Sequence, residues 1–186
     1  VSRLTGLRPA DMDDEQRDLY DRIVGSRRGP GTGNAAPITD DDGALRGPFD
    51  AMLRAPGIGD ALQNLGAGIR FRGGLSGRER EMAILVVATH WRSAFEQRAH
   101  EAAGRAAGLT DDELAALRDG SGPELGDDRE AVLLTTARAL AVDGDLDDAA
   151  YAAATGALGE PGLFELTTLV GYYATLALQM RVFRVG

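Results

Sequence analysis

Cysteine is absent from the 186 residues. That removes disulfides, thiolate zinc sites and every mechanism that uses a thiol. Lysine is absent as well, since all 20 basic residues are arginine. No Schiff-base lysine, phosphate-loop lysine or lysine general base is available. Histidine occurs only twice, and aromatic residues make up 5%, so the core has to be aliphatic and alanine-rich. Positive charge is outnumbered, with a formal net charge of -9, which argues against the basic face of a nucleic-acid-binding protein. Long hydrophobic runs are missing. The longest apolar stretch, Leu163 to Met180, is interrupted by Glu165 and Gln179 and reads as a buried helix rather than a membrane span. Val1 to Arg8 carries no apolar run of the signal-peptide kind. The expectation is a cytoplasmic protein with no nucleic-acid or membrane partner.

The remaining composition, 44% hydrophobic and 26% charged, is that of a globular chain long enough to bury a sizeable core. Leu19, Tyr20, Ile23 and Val24 lie at helical spacing behind an acidic first turn, where the helix dipole favours negative charge. Gly29 to Gly43 then reads as a long loop, either a solvated connector or a lid. Pro48 opens a short helix, and Ile58 to Phe71 forms the next. Ser76-Gly77-Arg78-Glu79 and Thr110-Asp111-Asp112-Glu113 are capping boxes, and Asp127 caps a further helix. The run Ala83 to Ala88 is apolar on every side and therefore buried. Asp147 to Leu158 is helical, and Gly159-Glu160-Pro161 begins a last helix to about Phe183. No segment reads as a strand. The prediction is an all-α, single-domain helical bundle of about eight helices. Residues 1–42 form an N-terminal extension and residues 43–186 the helical domain.

So small a catalytic inventory directs attention to His90-Trp91-Arg92-Ser93-Ala94-Phe95-Glu96-Gln97-Arg98-Ala99-His100, which holds both histidines and the tryptophan. Glu96 and His100, at i and i+4, share one helix face. The pair can work in acid–base catalysis, with the Glu orienting the ring or holding the proton itself, or it can simply stabilise the helix. Glu81 opens the buried apolar run, and burial there predicts a raised carboxyl pKa suited to proton transfer, or the residue simply stabilises the helix N-terminus. Arg70 and Arg72 flank Phe71 and could pair with a substrate carboxylate, or lie at the surface. His90 stands about 15 Å from His100 along a continuous helix, so no shared metal site is expected. Gly29-Pro30-Gly31-Thr32-Gly33 lacks the lysine and the preceding strand of a phosphate loop.

The segment Leu75-Ser76-Gly77-Arg78-Glu79-Arg80-Glu81-Met82, then Glu96-x3-His100, then Ala106-Ala107-Gly108-Leu109-Thr110, resembles the carboxymuconolactone decarboxylase family. That family shares its fold with alkylhydroperoxidase D. Gly47 to Leu53 and Phe164 to Tyr173 are similar to its first and last helices. The resemblance implies an all-helical fold, assembly into homo-oligomers such as trimers or hexamers, and chemistry without metal or organic cofactor. In the peroxidase branch a Glu, a C-x-x-C pair and a His form a proton relay. Here the Glu falls on Glu81, the His on His100, and the two cysteine positions on Ser93 and Glu96. Thiol peroxidase chemistry is therefore excluded. The decarboxylase branch carries Glu-Trp-x-x-His, of which Glu96 and His100 survive while Gln97 replaces the Trp. The implied activity is decarboxylation of a small carboxylated lactone or keto acid. Glu96, His100 and Glu81 would be catalytic, with Arg70, Arg72, Trp91, Phe71 and Ser93 around the substrate. Isomerisation, dehydration or lactone opening by the same residues, and a non-catalytic scaffold, are the alternatives.

Overall fold

The computed structural model describes residues 2–26 and 38–185. The part of the Gly29–Gly43 loop up to Pro37, and with it the question of a lid, lies outside the described residues. Among those residues the chain forms eight α-helices: α1 (Asp14–Gly25), α2 (Pro48–Met52), α3 (Pro56–Phe71), α4 (Gly77–Trp91), α5 (Ala94–Ala106), α6 (Asp111–Asp119), α7 (Asp128–Val142) and α8 (Asp148–Phe183). One turn of 3-10 helix, Pro9–Asp11, precedes α1. The described residues hold no strand, only an isolated bridge between Thr39 and Leu45. No helix among them is long and apolar enough to cross a membrane. The fold is all-α, as the helical periodicity predicts.

Local chemistry explains where the helices begin and end. Asp13, Ser76 and Thr110 each accept a backbone N–H three residues on, and Gln16, Glu79 and Glu113 reach back in return. These reciprocal bonds satisfy donors that the first helical turn leaves free. Asp127 accepts the Glu130 N–H at the start of α7. Helix α8 is interrupted at Gly159, whose φ of 72° no helix tolerates, two residues before Pro161. The break falls where Gly-Glu-Pro marks a new helix in the sequence.

Two compact units divide the chain, one formed by residues 1–67 with 176–186 and the other by residues 68–175. In the first, Leu19, Ile23 and Leu53 are fully buried, and Gln16 of α1 donates to the Leu53 carbonyl at 3.2 Å. Gly59 is needed there because a Cβ would lie 2.3 Å from the Met52 carbonyl oxygen. The second unit is built around α4, which packs against α5, α6 and α7. Every residue from Glu81 to Ala88 is buried. Each large apolar side chain taken from water in this way stabilises the fold by about 1.5–3 kcal/mol. Arg78 ties the base of α4 to its neighbours. It donates to both Glu130 oxygens at 2.9 and 3.1 Å, to the Gly108 carbonyl at 2.7 Å, and to Glu113. Such forked guanidinium–carboxylate pairs fix geometry as well as adding energy.

The approach to α4 depends on a glycine. Glu165 accepts the backbone N–H of Gly74 at 2.6 Å and that of Leu75 at 3.2 Å. A Cβ on Gly73 would fall 1.9 Å from the same carboxylate. Gly73→Ala is expected to break these bonds and lower stability by about 1–3 kcal/mol. Urea unfolding of the variant beside wild type checks this, and coincident midpoints would reject the role given to Glu165.

Candidate active site

The second turn of α4 and the second turn of α5 face each other because the chain reverses at Arg92. This residue adopts left-handed φ and ψ of 53° and 42°, and its N–H returns to the Ala88 and Thr89 carbonyls. Ser93 begins α5 without a side-chain cap. The reversal brings Glu81 and His100 together although they stand 19 residues apart, with His100 Nδ1 2.6 Å from Glu81 Oε2. The other ring nitrogen, Nε2, lies 3.1 Å from Glu96 Oε2, one turn back on α5. All three groups are buried, with exposures of 1% for Glu81, 3% for Glu96 and 7% for His100.

An ionised carboxylate only accepts hydrogen bonds. An imidazole held between two of them must carry a proton on each nitrogen. Burial pushes the His100 pKa down, but bonding to Glu81 and Glu96 outweighs it and raises the value to about 9. Glu81 moves the opposite way. Burial opposes its charge, yet His100, Arg70 and Arg80 together hold its carboxyl below the ordinary range. The raised value expected from burial alone is therefore corrected: positive neighbours overcome desolvation. Arg70 Nη2 and Arg80 Nε stand 3.7 and 3.6 Å from the same oxygen, Glu81 Oε1. Neither distance is a hydrogen bond, and Arg80 Nε has no hydrogen-bond partner among the described residues. With every group ionised, two carboxylates face an imidazolium and two guanidiniums, leaving positive charge in excess.

One oxygen of the cluster is unclaimed. Glu96 Oε1 is buried and has no hydrogen-bond partner among the described residues. Both nitrogens of His100 are occupied, so the free end of the chain Glu81–His100–Glu96 is this oxygen rather than the ring. Tyr173 of α8 closes the cluster, its ring edge-on to His100 with centroids 5.1 Å apart at 89°. A cavity of about 240 Å³ lies elsewhere in this unit, between α7 and the start of α8, lined by residues such as Ala131, Thr135, Ala139 and Leu146. No titratable side chain lines it, so it offers no acid–base chemistry.

Of the residues singled out in the sequence, the structure gathers Glu81, Glu96, His100 and Arg70. Ser93 is half-buried one turn before Glu96. Arg72 lies exposed, and Phe71 is 40% exposed. Trp91 sets its ring against His90, centroids 6.2 Å apart, rather than against His100. Two members of the cluster, Arg80 and Tyr173, carried no functional signal of their own. Arg80 could have been found from its place beside Glu81 in a helix first turn. Tyr173 lies in an apolar run that reads as plain core.

Residues 56–139 match the sequence model of the carboxymuconolactone decarboxylase family, so the family resemblance carried by the motifs holds over that stretch. A comparison with curated proteins finds no match. Among solved structures, the fold is similar to a crystal structure of a cysteine-to-alanine variant of the debrominase Bmp8 in complex with 2,3,4-tribromopyrrole. The TM-score is 0.74 at 10% identity, over 100% of this chain and 93% of that one. At that identity the likeness speaks to the fold alone.

The charge pattern has a consequence for stability. His100 titrates at about 9 in the folded chain against an ordinary 6.5. Its contribution is therefore complete below about pH 6.5 and lost as pH rises through 9. Glu81 lies below its ordinary 4.5, so its contribution is present above that value and lost as pH falls. Urea midpoints of wild type are expected to decline between pH 6.5 and 9, with the decline absent in His100→Phe. Parallel curves for the two proteins would remove the imidazolium from the account.

Proposed function

We propose that this chain, with its carboxymuconolactone decarboxylase-like segment, is an acid–base enzyme that removes CO2 from a small carboxylated lactone or keto acid without a cofactor. The reading rests on one observation above the others: the buried, unpartnered oxygen of Glu96 at the end of the Glu81–His100–Glu96 chain. A buried carboxylate oxygen without a partner is costly, and a substrate proton or hydroxyl would satisfy it. Burial of both Glu96 and His100 supports this reading over a non-catalytic scaffold that exposes them to solvent.

The residues divide the work by charge. Arg70 and Arg80, both beside Glu81 and with Arg80 Nε unpartnered among the described residues, would hold an anionic substrate through forked N–H donors. Loss of CO2 breaks a carbon–carbon bond and leaves its electron pair delocalised as a dienolate. That anion needs one proton on carbon. Glu96 Oε1 gives it, having taken a proton from solvent as the substrate entered; the His100 Nε2 proton then passes to Glu96 Oε2, and a second proton from solvent restores the ring after product leaves. Glu81 keeps the ring oriented through Nδ1 and stabilises its charge. Glu96 is thus the group that meets the substrate, and His100 is the shuttle behind it. A thiol takes no part, since the chain has none. Whatever the cysteine of the debrominase does has no counterpart here.

The test is CO2 release from carboxymuconolactone and a panel of β-keto acids. Wild type is expected to release CO2, and Glu96→Gln and His100→Ala to do so about 10²–10⁴-fold more slowly, the range of general acid–base catalysis. Full activity in Glu96→Gln would overturn the role given to that oxygen. Substrate consumed without CO2 would favour isomerisation or lactone opening by the same relay. No reaction across the panel would reject the decarboxylase reading.

A further inference from the structure

The cavity of about 240 Å³ between α7 and the start of α8 has no part in the proposed reaction. Small side chains leave it open. Four of the eight lining residues are alanine, among them Ala139 and Ala150, and these are too short to meet across the gap. Its polar side chains are Thr135 and Thr136. Each hydroxyl donates back to its own helix, to the Ala131 carbonyl at 2.9 Å and the Val132 carbonyl at 2.7 Å. The interior therefore offers hydrocarbon and few free polar groups. An apolar cavity of about 150 Å³ takes benzene, so this one has room for a body of about six to eight carbons.

The mouth has the opposite character. Asp145 accepts the Leu146 N–H at 2.8 Å, and Asp147 the Ala150 N–H at 2.7 Å. Leu146 and Ala150 both line the cavity, so these two carboxylates stand at its edge. Asp143 and Asp148 flank them, making four exposed aspartates within six residues. None of the four has an ion-pair partner among the described residues. No arginine lies between Arg138 and Arg181. The arginines of α7 are engaged elsewhere, Arg138 at the Gly120 carbonyl and Arg129 at Glu79 and the Ala157 carbonyl. Charge of one sign at the mouth of an apolar cleft draws in ligands of the other sign.

We infer that the α7–α8 cavity binds a small organic ammonium ion, with its hydrocarbon body inside and its charged nitrogen at Asp145 and Asp147. The same mouth repels anions, so this is not a second seat for a carboxylated substrate, and the inference stands independently of the proposed reaction. A basic helix from a protein partner fits less well. The space holds one small body, not the i, i+3, i+4, i+7 row of side chains that a docked helix presents.

Four probes separate body from charge: hexylammonium, neutral hexan-1-ol, anionic hexanoate, and methylammonium, which has the charge without the body. By calorimetry at low ionic strength, wild type is expected to bind hexylammonium about tenfold or more tightly than methylammonium or hexanoate. Ala139→Leu fills the cavity and should weaken hexylammonium about tenfold or more. Asp145→Asn combined with Asp147→Asn keeps the side-chain shapes and removes their charge. It should weaken hexylammonium about twofold to fivefold and leave hexan-1-ol unchanged. Amide NMR during titration locates the site in wild type without relying on any variant, and shifts are expected to centre on residues 131–139 and 146–153. Shifts centred elsewhere, equal affinity for hexylammonium and hexanoate, or hexylammonium binding that survives Ala139→Leu would each overturn the inference. So would no binding of hexylammonium by wild type, including the case in which a basic amphipathic peptide binds instead.

Discussion

Two carboxylates, Glu81 and Glu96, are buried on either side of one imidazole, and the arrangement of the second compact unit follows from making that tolerable. Removing an isolated charge from water has an effective cost of several kcal/mol. Glu81 meets it with His100 on one oxygen and two arginines near the other. Glu96 has only His100. The imbalance is informative: Glu81 has positive neighbours at both oxygens, whereas one oxygen of Glu96 is left over and open to a ligand.

Rigid supports hold these charges at fixed positions. The α4 backbone is anchored at its start by the Ser76–Glu79 capping box, by Glu165 on the preceding N–H groups, and by Arg78 reaching α6 and α7. Glu79 also accepts from Arg129 Nε at 2.6 Å, so the cap itself is tied to α7. These contacts surround the turn that carries Arg80 and Glu81. A site on helices braced in this way keeps its geometry better than one on loops.

Much of the fold was legible in the chain because its signals are local. Capping boxes, the Gly-Glu-Pro break in α8 and the all-apolar turn of α4 act within a few residues, and each sits where the sequence places it. Glu96 with His100 was legible for the same reason, since i, i+4 spacing sets their contact. The direction of the Glu81 pKa was not. Burial is visible in an apolar run, but the charges that outweigh it come from α3, α5 and the neighbouring Arg80. The arginines divide for a related reason. Arg70 closes the last turn of α3 and Arg72 lies just past its end, which leaves one beside Glu81 and the other exposed.

The sequence by itself determined the class of chemistry. Without cysteine or lysine, and with two histidines, only carboxylate, imidazole and guanidinium groups were available, and the helices that carry them were written into caps and periodicity. The tertiary structure alone decided which of those groups meet. The reversal at Arg92 brings Glu81 to His100, and the return of α8 sets Tyr173 against the ring. Contacts across 19 or 73 residues depend on how helices pack. Helix packing is settled by the fit of whole apolar faces, which no short stretch of sequence encodes.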